Sequence, residues 1–117
     1  MKTHTEDGKT AILISPGFGA GWSTWNSEHS RFFLMDSGLV ALVMADADET
    51  EIEAYCKQEL DESDDDFYVY LGGLGGLVIK WLPNGTKFCV DEYDGSESIC
   101  TIDNLTEIAG GDNDNQS

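Results

Sequence analysis

The fold depends on one stretch, FYVYLGGLGGLVIKWLPNGTKFCVDEYDGSESICTI, which runs from residue 67 to residue 102. Its apolar runs are rich in β-branched and aromatic side chains, which strands favour. Asn-Gly at 84–85 and Asp-Gly at 94–95 separate three of these runs, and both dipeptides are typical of two-residue hairpin turns. The sequence therefore predicts two consecutive antiparallel hairpins.

Matching apolar side chains across each turn gives the register of both predicted hairpins. The first turn places Trp81 opposite Phe88, and the second places Val90 opposite Ile99. These four side chains then share one face of the sheet. Because a slip of one residue would move the whole set to the other face, the apolar pattern favours this register over its neighbours.

The second hairpin also pairs two sets of like residues. Glu92 lies opposite Glu97, and a like-charge cross-strand pair costs stability, so a longer second loop would relieve it. Cys89 lies opposite Cys100, and Cys56 completes a set of three cysteines without CxxC spacing. An odd number in this pattern indicates free thiols, not a disulfide scaffold or a zinc finger.

Further strands and helices surround the hairpins. Residues 67–71 are predicted as a strand followed by a glycine-rich loop at 72–76, and the apolar run 10–15 as a buried strand of the same sheet. Apolar residues at helical spacing predict two helices between residues 31 and 44, interrupted at 36–38. A third helix begins near Asp48, and its apolar face consists of Ile52, Tyr55, Cys56 and Leu60. The predicted class is α+β: an antiparallel β-meander of about five strands with two or three helices packed on one face.

Length and charge restrict the range of functions. The chain has 117 residues and a formal net charge of −17. This length suits one domain, predicted at residues 11–109 between a flexible N-terminal lead (1–10) and a disordered acidic tail (110–117). No apolar run reaches membrane-spanning length and no signal region precedes the domain, so we expect a cytoplasmic protein. The charge disfavours direct contact with nucleic acid or anionic membranes and favours a basic protein partner.

The segment PGFGAGWSTWN, residues 16–26, combines three glycines with three large aromatic residues. Such aromatics usually anchor a turn in the core. The alternative is a small-ligand module that captures a nucleotide or metabolite, because glycines after a strand let backbone N–H groups approach an anion. The GxGxG spacing matches neither known phosphate-binding pattern. The residues of this alternative site are Gly17, Gly19, Gly21, Trp22 and Trp25.

Two segments, ISPGFGAGWSTWN at 14–26 and KFCVDEYDGSESI at 87–99, resemble small hypothetical proteins of tailed bacteriophages and prophages. The likeness covers much of residues 11–102. It implies a phage accessory protein that acts in the cytoplasm of a host bacterium, and it implies no catalytic residue. The acidic density between residues 46 and 66 is greater than is usual for this pattern.

The sequence predicts no enzyme. Ser23 and His29 could be drawn as part of a triad, but no nucleophile elbow is visible. Residues 46–57 begin like a calcium loop, yet Glu51 replaces the required glycine and Lys57 replaces the terminal glutamate. We therefore expect no catalytic residue, no metal and no cofactor.

Eleven carboxylates stand between residues 46 and 66, with Lys57 as the only opposing charge. Carboxylates at i and i+4 of a helix lie ~6 Å apart, close to the phosphate spacing along a DNA strand. A solubilising acidic face is the simpler interpretation. The functional hypothesis is an interaction protein that binds a basic host protein, with mimicry of DNA as a means of inhibiting a nucleic-acid-binding or defence protein. Its predicted contacts are Asp48, Glu49, Glu51, Glu53, Glu59, Asp61, Glu62, Asp64, Asp65 and Asp66.

Overall fold

A computed structural model describes residues 1–60 and 69–101 of the chain. Within these residues the strands are β1 (Thr5–Glu6), β2 (Lys9–Ile14), β3 (Val78–Pro83), β4 (Phe88–Tyr93) and β5 (Ser96–Thr101). The helices are α1 (Ser30–Met35), α2 (Ser37–Met44) and α3 (Glu49–Glu59), with short 3₁₀ turns at Ser23–Trp25, Ser27–His29 and Leu74–Gly76. The predicted α+β class, the antiparallel strand pairing and the three helices are confirmed.

The strands form two sheets instead of one meander. β2 lies between β1 and β3, and it pairs with β3 along six positions, from Lys9 opposite Pro83 to Ile14 opposite Val78. β4 pairs with β5 in a separate two-stranded ribbon. The predicted hairpin between β3 and β4, with Trp81 opposite Phe88, is therefore wrong.

The burial of β2 explains this difference. Residues 11–14 are fully buried, and buried backbone groups need hydrogen-bond partners that water cannot supply. β3 supplies them along the whole strand. The turn after β3 then docks on the β1–β2 turn, where the Asn84 amide donates to the Gly8 carbonyl at 2.9 Å and the Thr10 hydroxyl donates to the Asn84 side chain at 2.6 Å.

The second hairpin has the predicted register. Val90 lies opposite Ile99, and Glu92 lies opposite Glu97. Asp94 and Gly95 have φ angles of 50° and 86°, which is the two-residue turn whose twist matches that of the flanking strands. The longer loop that would separate the two glutamates does not form, and a different role for Glu97 is described below.

Asp36 separates the first two helices, as the interruption at 36–38 predicted. Its buried carboxylate caps α2 by accepting a hydrogen bond from the Leu39 amide at 3.1 Å, and it also accepts one from the Tyr55 hydroxyl of α3 at 2.5 Å. Burial and this bond raise the pKa of Tyr55 above its ordinary range. One carboxylate thus ties α3 to the junction of α1 and α2.

Other sequence predictions differ from the structure at the margins of the domain. Part of the predicted N-terminal lead belongs to the sheet, because β1 and the start of β2 lie before residue 11. Residues 69–71 of the strand predicted at 67–71 are not in a strand, although Val69 and Leu71 are buried. Residues 61–68 and the predicted tail lie outside the described residues. No helix of the described part of the chain is long and apolar enough to cross a membrane.

The buried thiol of Cys56 should make the fold sensitive to alkaline pH. Burial raises the pKa of Cys56 from 9.0 to about 12, and the nearby carboxylates of Asp36 and Glu53 add to this. Between these two values the unfolded chain loses the proton and the folded chain keeps it, so the free energy of unfolding falls as pH rises. One such thiol contributes a slope of up to ~1.4 kcal/mol per pH unit.

Urea unfolding of the wild type and of Cys56→Ala across this alkaline range measures that slope. Cys56→Ala should be less stable at neutral pH, because it leaves a small cavity, but its stability should fall less steeply as pH rises. Equal slopes in the two proteins would show that Cys56 ionises no differently in the folded and unfolded chains.

Candidate functional site

The side chain of Glu97 is buried where β5 meets the glycine–tryptophan segment, and it is 2 % exposed. One carboxylate oxygen accepts hydrogen bonds from the amides of Trp22 and Thr24, at 2.7 and 3.1 Å, and from the Thr24 hydroxyl at 2.5 Å. The other accepts from the Ser15 amide at 3.0 Å. Four donors around one carboxylate satisfy a buried charge, so Glu97 is the structural centre of this region.

The β4–β5 turn packs on the same segment, and together they form the loop–hairpin junction, residues 15–24 and 92–97. The Gly19 amide donates to the Asp94 carbonyl at 2.5 Å, and the Ser96 hydroxyl donates to the Pro16 carbonyl at 2.8 Å. Gly95 is buried against the backbone of Ala20. Residues 14–26 and 87–99, which are distant in the sequence, therefore meet in one unit.

The junction presents two aromatic rings to solvent. Phe18 and Tyr93 are 73 % and 77 % exposed, and their rings meet edge to face with centroids 6.3 Å apart. The sequence does not predict the exposure of either ring. It indicates burial for Phe18, and the alternation along β4 does not show that Tyr93, at the end of the strand, is exposed. Exposed aromatics on a fixed backbone are typical of protein–protein contacts.

The five residues of the alternative ligand site do not form one surface. Trp22 is fully buried against Phe33 and donates from its indole nitrogen to the Phe33 carbonyl at 2.7 Å. Gly21 is buried against the ring of Trp25, whereas Gly17 and Gly19 are exposed. Trp25 is 39 % exposed. Only part of the predicted set can therefore reach a ligand.

Trp25 helps to hold residues 69–71 in place. Its ring packs on Tyr70 with a centroid distance of 5.0 Å, and its indole nitrogen lies 3.4 Å from the Glu92 carboxylate. The neighbouring Asn26 side chain accepts from the Tyr70 amide at 2.8 Å and donates to the Tyr70 carbonyl at 2.9 Å. These contacts assign Trp25 a structural role in addition to its exposed edge.

The described members of the predicted partner-binding set form the α3 acidic surface, which consists of Asp48, Glu49, Glu51, Glu53 and Glu59. All five residues are exposed. Asp48 also caps the helix by accepting from the Glu51 amide at 2.9 Å, and acidic residues in a first turn are stabilised by the helix dipole. The other predicted contacts, Asp61, Glu62, Asp64, Asp65 and Asp66, lie outside the described residues.

The α3 acidic surface has two flanks. Successive helical residues turn by about 100°, so Glu51 and Glu53 point to opposite sides of the buried Ile52. Glu49 lies one turn before Glu53 on the same flank, and the outermost side carries Ala54 and Lys57. The predicted single acidic face is therefore divided in two by a neutral and basic strip.

An open groove of about 530 Å³ lies beside the start of α3. Its lining includes the carboxylates of Asp46, Asp48 and Glu49. It also includes the apolar side chains of Val43, Ala47, Leu71, Leu74 and Leu77. Negative charge beside leucine side chains suits a partner segment that combines basic and apolar residues.

The cysteines are free in this structure. Cys89 lies opposite Cys100 as predicted. Desolvation, followed by the neighbouring Asp91 and Cys89, raises the pKa of Cys100, so its reactive thiolate form is disfavoured at neutral pH. Within residues 1–60 and 69–101, no group of three or more His, Cys, Asp or Glu side chains could hold a metal ion.

Comparison of the chain with protein-family models, with curated proteins and with solved structures gives no match.

Proposed function

We propose that this chain is a phage-type accessory protein that acts in the host bacterial cytoplasm by binding a basic protein through its α3 acidic surface. In the specific form of this proposal the carboxylates take the place of DNA phosphates, and the partner is a nucleic-acid-binding or defence protein that the chain inhibits.

The proposal rests mainly on one observation: no ion pair within residues 1–60 and 69–101 neutralises the α3 acidic surface. In the part of the chain that the structure describes, the one ion pair joins His4 and Glu6. Lys57 lies one turn after Glu53, the spacing at which helical ion pairs form, yet the two side chains make no ion pair. Uncompensated carboxylates on an ordered helix raise the local concentration of basic partners and speed their association.

The groove beside α3 supports the proposal because it adds an apolar contact to the charge. Charge complementarity mainly supplies specificity and association rate, whereas buried apolar side chains supply most of the affinity at an interface. The leucine side chains and the carboxylates that line the groove together suit a basic segment that inserts one apolar side chain. The resemblance of two segments of the sequence to phage proteins supports the bacterial setting.

Three double substitutions, each of which raises the net charge by two, test the proposal. Glu49→Gln/Glu53→Gln neutralises one flank, and Glu51→Gln/Glu59→Gln neutralises the other flank and the last residue of α3. Glu28→Gln/Asp91→Asn is the control at exposed positions elsewhere. Asp48 is left unchanged because it caps α3. The immobilised wild type should retain basic proteins from a bacterial lysate at low ionic strength and release them as salt rises.

At least one flank variant should weaken retention by about tenfold, which corresponds to ~1.4 kcal/mol, and the control should not. If the partner uses the same surface to bind DNA, added duplex DNA should release it from the column. Equal retention by all three variants would contradict the proposal. Release by salt but not by DNA would limit it to a basic partner and exclude mimicry.

A further inference from the structure

A second open cavity, of about 340 Å³, lies between residues 23–35 and β4. Its lining includes the hydroxyl residues Ser23, Ser27 and Ser30. It also includes the apolar side chains of Leu34, Phe88 and Val90. Small-molecule sites commonly have this size and this combination of an apolar lining with a few polar groups.

Ser23 is the first residue that points to a ligand. It is 1 % exposed and lines the cavity. Its hydroxyl has no hydrogen-bond partner among residues 1–60 and 69–101, whereas the hydroxyl of the adjacent Thr24 is bonded to Glu97. Native proteins pair nearly all buried polar groups, so an unpaired buried hydroxyl that lines a cavity is suited to a ligand that the described residues do not supply.

Arg31 is the second residue that points to a ligand. It is the only arginine in a chain with 23 acidic residues, and it lines the same cavity. Across the described ranges its guanidinium makes no ion pair and no hydrogen bond to a side chain. A guanidinium presents parallel N–H donors that match the two oxygens of a carboxylate. In so acidic a protein, the single arginine is therefore available for an external anion.

We propose that this cavity binds a small organic monocarboxylate with an apolar or aromatic body. The carboxylate pairs with Arg31 and accepts hydrogen bonds from the serine hydroxyls, including that of Ser23. The body packs against Leu34, Phe88 and Val90. A single negative charge fits better than a phosphate, because the surrounding net charge of −17 opposes a more highly charged ligand. This site is separate from the α3 acidic surface and does not depend on the function proposed above.

Titrations of the full-length, isotope-labelled chain followed by two-dimensional NMR test the site with named probes. Benzoate and 3-phenylpropionate are the carboxylates, benzamide and 3-phenylpropionamide are the matched neutral compounds, and inorganic phosphate is the alternative anion. At least one carboxylate should produce saturable shifts at the amides of residues 23–31 and 88–90. Its amide counterpart and phosphate should each bind about tenfold or more weakly.

Variants of Arg31 and Ser23 show whether these residues bind a ligand or only stabilise the fold. Arg31→Gln should weaken carboxylate binding by about tenfold, whereas Lys80→Gln, which removes one exposed positive charge from β3, should not change it. Ser23→Ala should weaken binding while leaving the thermal midpoint unchanged or higher, because the hydroxyl is unpaired in the protein.

Several results would overturn the proposal. These are the absence of saturable shifts with both carboxylates, equal binding of carboxylate and amide, preferred binding of phosphate, and equal effects of Arg31→Gln and Lys80→Gln. A lower thermal midpoint for Ser23→Ala would show that the hydroxyl has a structural partner and would remove Ser23 from the site.

Discussion

Glu97→Ala is expected to destabilise the protein more than any other single carboxylate substitution, by roughly 3–5 kcal/mol. The carboxylate accepts four hydrogen bonds from Ser15, Trp22 and Thr24. Removing it leaves buried donors unpaired, at a cost of ~1–3 kcal/mol for each group that water cannot reach. A loss of this size is a large part of the ~5–15 kcal/mol that stabilises a typical domain.

The geometry also predicts which of two substitutions at this position destabilises the protein more. Glu97→Gln keeps one oxygen, which can accept three of the four hydrogen bonds, but it turns an amide group toward the Ser15 N–H. We therefore expect it to be less destabilising than Glu97→Ala. Urea unfolding at neutral pH measures both, and Glu53→Ala, at an exposed position on α3, should stay within about 0.5 kcal/mol of the wild type. A Glu97→Ala protein as stable as Glu53→Ala would refute the structural role of Glu97.

Gly95→Ala should cost considerably more than Gly85→Ala, although the two glycines have nearly the same backbone conformation. Their φ angles are 86° and 87°, and an alanine in this region costs ~1–2 kcal/mol. At Gly85 a Cβ would meet nothing within 4 Å, so we expect the backbone cost to be the whole loss of stability for Gly85→Ala. At Gly95 a Cβ would lie 2.9 Å from the carbonyl carbon of Gly19 and closer still to the Ala20 amide.

Because the obstacle at Gly95 is backbone, a side-chain rotation cannot relieve it. The hairpin has to move away from the glycine–tryptophan segment, which also breaks the hydrogen bond between Gly19 and Asp94. We expect a loss of ~3 kcal/mol or more for Gly95→Ala, in the range of substitutions that overpack a core. Unfolding curves of the two variants give the comparison, and equal losses would show that the hairpin does not pack closely on this segment.

The second hairpin could be predicted from the sequence because its determinants are local. Asp94-Gly95 supplies the turn, and Val90 and Ile99 stand at matching distances from it. The first hairpin has an equally favourable turn at Asn84-Gly85, yet β3 pairs with β2. Nothing near residue 84 indicates this, because the competing partner is more than sixty residues away and wins through the burial of its backbone.

The role of Glu97 was missed for a similar reason. In the predicted hairpin Glu97 lies opposite Glu92, and the two like charges repel each other. From the sequence, a longer loop is expected to relieve this repulsion. In the fold Glu92 accepts from the Gly95 amide at 2.7 Å, while Glu97 turns toward donors in residues 15–24. A glutamate next to a hairpin turn and opposite a second glutamate is a sequence signal that suggests a distant partner for one of the two.

The prediction of a single acidic face identifies the acidic residues of α3 but not how they are arranged around the helix. Glu49, Glu51 and Glu53 alternate with Thr50 and Ile52, a spacing of two, whereas one helical face requires spacings of three and four. Helical geometry alone therefore predicts the two flanks. Arg31 was not recognised as a candidate, because the absence of an ion pair becomes visible only in three dimensions.

The pairing of β2 with β3 also affects how the chain is made. Ile14 and Val78 are 64 positions apart and Lys9 and Pro83 are 74 apart, so most of the protein has to leave the ribosome before the most apolar strand meets its partner. Contacts between such distant residues slow folding, and during this delay an apolar strand is exposed to association with other chains. The large negative charge gives the nascent polypeptide a compensating benefit, since growing chains repel one another while the sheet is still incomplete.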